Sequence, residues 1–100
     1  SLWTENGRFP AQQPDPATIA LLAIAEITGQ ILTNPPAMAD QLLADLEQFE
    51  WVVTGRPSRE NEILAEINGR YTAHTDEHPT YLHFCQHIQQ FTENRDSILL

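Results

Sequence analysis

Residues 62–75 read EILAEINGRYTAHT, and the fold class turns on how they are read. Asn-Gly between two runs of this kind is a strong short-range hairpin signal, so EILAEI and RYTAHT can be the arms of a β-hairpin about Asn68-Gly69. The same dipeptide can instead end a helix. The first arm favours the helix, because Ala, Glu and Leu are helix formers. Ile63, Leu64 and Ile67 share one helical face. Ser58 is placed to cap, with Glu60 and Glu62 beside the positive end of the dipole. The expected element is a helix over 59–68. The expected fold is therefore all-α, a small bundle of about four helices, with an α+β fold carrying a short hairpin around Asn68-Gly69 as the alternative.

On the N-terminal side, Gly55 can supply a left-handed helix end, with Pro57 just beyond it. Ala39, Leu42, Leu43, Leu46, Phe49 and Val53 keep helical spacing and predict a helix over 36–54. WVVT, residues 51–54, has strand-forming residues, but the spacing runs unbroken through it. Asp40, Asp45, Glu47 and Glu50 are assigned to the other faces of this helix. Thr33-Asn34-Pro35-Pro36 is a break in which Thr33 or Asn34 can cap the restart. Before it, Asp15-Pro16 opens a helix over 15–33, an acidic cap followed by the residue best tolerated at the first helical position. Its stripe is Ala20, Ile24, Ile27 and Ile31. Leu21, Ala25 and Leu32 widen that stripe, and Ile19 and Leu22 extend it the other way, so the helix is apolar on most sides. Residues 1–14, SLWTENGRFPAQQP, are broken by Gly7, Pro10 and Pro14 and read as an N-terminal arm, with Trp3 and Phe9 as anchors.

On the C-terminal side, 72–78 is a polar connection. A last helix over 79–94 carries Tyr81, Phe84, Cys85, Ile88 and Phe91 on one face. The expected domain is single, acidic and helical, residues 15–100. Its expected core is Ile24, Ile27, Leu42, Leu46, Phe49, Ile63, Ile67, Phe84, Ile88 and Phe91.

Charge narrows the function classes. Fourteen Asp and Glu face five arginines and no lysine, a net −9. Schiff-base chemistry on this chain is excluded, and phosphate tracking is disfavoured, since it needs cations along a face. An acidic surface suits basic partners. The lone Cys85 can form no internal disulfide, which points to a reducing cytoplasm. The most apolar run, IALLAIA at 19–25, stops at Glu26 and is short of a membrane span. Ser1 in place of Met suggests a domain excised from a longer protein.

All four histidines and Cys85 fall within residues 74–87, HTDEHPTYLHFCQH. Helical geometry divides them. His83, Gln86, His87, Gln90 and Asn94 form a polar stripe, and Cys85 faces the core with Phe84 and Ile88. A His-x-x-x-His pair can chelate a divalent transition metal, and His74, Asp76 and His78 are the nearest further ligands. No H-E-x-x-H motif is present. His74, His78, His83 and His87 are thus weak metal candidates, and a solvated polar face is the default. A buried Cys85 is a packed core thiol rather than a nucleophile. The glycines are scattered, with no phosphate loop.

FEWVVTGRPSRENEILAEI, residues 49–67, resembles a helix–turn–helix spacing with Arg56 and Arg59 near the second helix. Glu60, Glu62 and Glu66 would meet the phosphates, which argues against DNA. The expected function is a non-catalytic protein–protein interaction domain: an adaptor, a regulatory subunit or a helical domain of a larger protein. Its expected contacts are Ile19, Leu22, Asp40, Asp45, Glu47 and Glu50. The partner is another protein with a basic surface, or a second copy, with no membrane and no cofactor. One alternative is an acidic inhibitor of a basic enzyme, such as an immunity protein or DNA mimic. The other is a small metal-binding protein using the His74–His87 cluster.

Overall fold

Asn68-Gly69 lies inside a helix. In the computed structural model, which describes residues 15–55 and 57–99, four helices form: α1 (Pro16–Thr33), α2 (Ala39–Gly55), α3 (Glu60–Thr72) and α4 (Pro79–Leu99). The fold is an all-α four-helix bundle, and no strand occurs among the described residues. The arm expected over 1–14, with Trp3 and Phe9, lies outside the described residues, as does Arg56.

α3 runs through Asn68-Gly69 because the apolar spacing does. Leu64, Ile67 and Tyr71 recur at three and four positions, and all three are buried. Tyr71 is fully enclosed. A glycine inside a helix costs about 1 kcal/mol relative to alanine. Burying a large aromatic side chain offsets more than that. Both readings of the dipeptide, helix end and hairpin turn, are therefore corrected.

Other boundaries also move. Asn34 closes α1, its backbone N–H donating to the Gln30 carbonyl, rather than capping α2. α2 starts at Ala39 instead of 36, after a turn in which the Ala39 N–H donates to the Pro36 carbonyl. Met38 N–H donates to the Tyr81 hydroxyl at 3.0 Å, tying that turn to α4. Gly55 is the last residue of α2, and its φ is not left-handed. Arg59, not Ser58, precedes α3, and α4 continues to Leu99.

α1 packs on α2 and α4, and α3 packs on the same two helices from the other side. Aromatic rings fill the middle. Phe49 meets Phe84 and Phe91 edge-on at 5.7 Å, and Tyr71 stacks on Tyr81 at 5.4 Å. α1 contributes a narrow, small face of Ala20, Ala23, Ile27 and Ile31. Of the expected core, Ile24 and Ile63 are only partly buried, while Val52, Leu64, Tyr71 and Tyr81 are core residues beyond that expectation.

Candidate interaction surface

α1 buries one side of an apolar helix and leaves much of the rest bare. Leu21, Leu22 and Leu32 are 37%, 67% and 74% exposed. The helix is 18 residues of mean hydropathy 1.4, the one described helix long and apolar enough to cross a membrane by length and composition. Leu22 stands two positions from Ile24, so it lies on nearly the opposite side of the helix. Ile19 is half-buried.

Ala17, Leu21, Ile24 and Thr28, followed by Leu32, repeat at three- and four-residue spacing along the edge of α1 that adjoins α2. The Thr28 hydroxyl donates to the Ile24 carbonyl at 2.7 Å, so it is already satisfied. Facing this edge, Asp40, Leu43, Glu47 and Glu50 keep the same spacing on α2. Between them runs a groove of about 480 Å³ with Ile24, Leu43, Ala44 and Leu46 as its apolar lining. Asp40, Glu47 and Glu50 border it, all three exposed. Among the described residues none of these three carboxylates has a hydrogen-bond or ion-pair partner. The described arginines are engaged elsewhere: Arg59 with Glu62, Arg70 with Asp45 and Glu66, Arg95 with Glu60 and Asp96.

No family model, curated protein or solved structure matches this chain.

Asp45 does not belong to the surface. It is 4% exposed, and it links α2 to α3. Arg70 Nη1 donates to both of its oxygens, at 2.8 and 2.7 Å, and the Tyr71 hydroxyl donates to Oδ2 at 2.5 Å. Gln41 Nε2 adds a bond at 3.2 Å. The reason is positional: Leu42, Asp45, Leu46 and Phe49 form one stripe, so Asp45 sits on the core face of α2 and needs donors there. Burial, followed by the bond to the Asp45 carboxylate, pushes the Tyr71 hydroxyl far above the usual phenol range. The same carboxylate raises the Arg70 guanidinium.

The described histidines do not gather into one cluster of three or more ligands. His74 Nδ1 pairs with Glu77 at 2.8 Å, and His78 Nδ1 meets the Thr80 hydroxyl at 2.8 Å and accepts the Thr80 N–H at the start of α4. His83 Nδ1 lies 3.3 Å from Gln30 Oε1 on α1, and His87 Nδ1 is buried without a partner. His83 and His87 are thus half-buried, His83 against α1, rather than part of a solvated stripe. Among the described residues no group of three or more His, Cys, Asp or Glu is placed to hold a metal ion. Cys85 is buried, its thiol 3.8 Å from the Asn68 carbonyl, and burial raises its pKa.

Leu21, Ile24, Thr28, Leu32 and Leu43 are the surface residues that sequence reasoning did not assign. Their signal was present: an apolar stripe on α1 wider than the side a small bundle can cover.

Proposed function

We propose that this chain is a non-catalytic protein-interaction domain that presents the outer side of α1 to a partner, in a reducing cytoplasm. The observation that carries this reading is the imbalance of α1. Its apolar surface exceeds what α2 and α4 cover, and three leucines remain open to water. Contiguous exposed apolar surface of several hundred Å² commonly marks a contact. Glu26 interrupts the outer side of α1, and the Ile27/Ile31 side is consumed by the core, which suits a protein partner better than lipid. Asp40, Glu47 and Glu50 add long-range attraction toward a basic surface.

The test is to change Leu22 and Leu32 singly to Asp. Both side chains are exposed, so the variants should fold with the parent's helical circular dichroism. Self-association by sedimentation, and capture of native partners, should fall for at least one variant. Two folded variants that associate and capture like the parent would overturn the reading.

A further inference from the structure

Resting on that reading, we infer that the α1/α2 groove is the seat of a basic amphipathic helix from the partner, with its apolar side on Ile24 and Leu43 and its Lys or Arg side chains along Asp40, Glu47 and Glu50.

Three properties of the groove select this occupant. Its lining is apolar, formed by Ile24, Leu43, Ala44 and Leu46, with the Thr28 hydroxyl already donated to its own helix. A flexible polar chain or a phosphate backbone would leave that lining uncovered. Its border is acidic, and the described cations of this chain are all committed to other carboxylates. Among the described residues no cation is left for the acids of the border, and a partner's Lys or Arg side chains would supply it. Finally, the acids are laid out helically. Asp40 and Glu50 stand ten positions apart on α2, about 15 Å or three turns. A groove between two packed helices accepts the side-chain ridge of a third at an axis separation of about 8–10 Å. Cations at three- and four-residue intervals on that third helix would fall opposite the acids, and its alternate rows would reach the lining.

A second copy of this chain fits less well. It has five arginines and no lysine against fourteen acids, so two grooves brought together oppose like charges.

The probe is a dye-labelled amphipathic peptide of leucine and lysine about four turns long, with its leucine–glutamate counterpart of the same apolar face as the control. The full chain should bind the lysine peptide and not the glutamate one. Amide shifts in an isotope-labelled chain should move at Ile24, Thr28, Leu43 and Glu47 rather than on α3. D40N/E47Q/E50Q should weaken binding roughly tenfold, the scale of three exposed ion pairs. D76N/E77Q/E93Q, with the same change in net charge on exposed acids that do not line the groove, should change it less than about twofold, as screened charges outside the contact do.

Equal weakening by the two triple variants means binding to net charge alone and overturns the inference. Shifts centred outside the groove do so too. A full chain that does not bind, because its own residues 1–14 or a second copy occupies the groove, overturns it equally. None of these results touches the Leu22 and Leu32 experiment, so the broader reading stands or falls separately.

Discussion

Asp40 and Asp45 are carboxylates five positions apart on α2, and they do opposite work. Asp40 is exposed and has no described partner. Asp45 is enclosed and bonded by Arg70, Tyr71 and Gln41. Burial, with the bond to this carboxylate, holds Tyr71 in its neutral form, and this has a pH signature. The folded state keeps a phenol proton that the unfolded chain gives up above about pH 10. The unfolded state then binds fewer protons, so stability present below that pH falls as pH rises past it. Tyr71→Phe should make the alkaline loss shallower, while lowering stability at neutral pH by about 1–3 kcal/mol, because Asp45 loses a donor. Urea midpoints measured from neutral to strongly alkaline pH check both effects. An unchanged alkaline limb would place the titrating group elsewhere.

At the scale of elements, α3 shows where the sequence was legible and where it was not. Its existence and its Leu64/Ile67 face followed from spacing, as did the positions of α1, α2 and α4 to within a few residues at most ends. Its end did not, because Asn68-Gly69 carries a local preference that Tyr71 overrides through burial against Tyr81 and a bond to Asp45. Adding Tyr71 to the Leu64–Ile67 series would have extended the helix. In the same way, placing Asp45 between Leu42, Leu46 and Phe49 would have marked it as a buried group in need of donors. The groove was less accessible, since spacing along one helix does not say which neighbour leaves an edge open. Because Gly69 is helical and a Cβ there would meet nothing within 4 Å, Gly69→Ala should raise stability by about 0.5–1 kcal/mol. A lower melting temperature for this variant would show that residue 69 needs a conformation alanine resists.

Across the whole molecule, the net charge of −9 is divided between paired and unpaired acids. The stabilising acids are paired: Asp45 with Arg70, Glu60 with Arg95, Glu62 with Arg59. Asp40, Glu47 and Glu50 have no partner among the described residues, and Glu47 and Glu50 are like charges one helical turn apart, an arrangement that destabilises a helix by a few tenths of a kcal/mol. Neutralising all three as D40N/E47Q/E50Q should leave stability unchanged or raise it by up to about 1 kcal/mol, through relief of self-repulsion. Asp45→Asn should lower it by about 2–4 kcal/mol, because Arg70 keeps a charge whose partner is gone. Salt separates the two kinds of acid further. Raising it from about 0.05 to 0.5 M should stabilise the parent more than the triple variant, since screening acts on exposed charges. Urea denaturation of the three proteins at both salt concentrations makes the comparison. If the triple variant loses more than about 1 kcal/mol, the stripe along α2 is holding the bundle together. If it does not, these acids add nothing to the stability of the described bundle, as the border of a partner-binding groove requires.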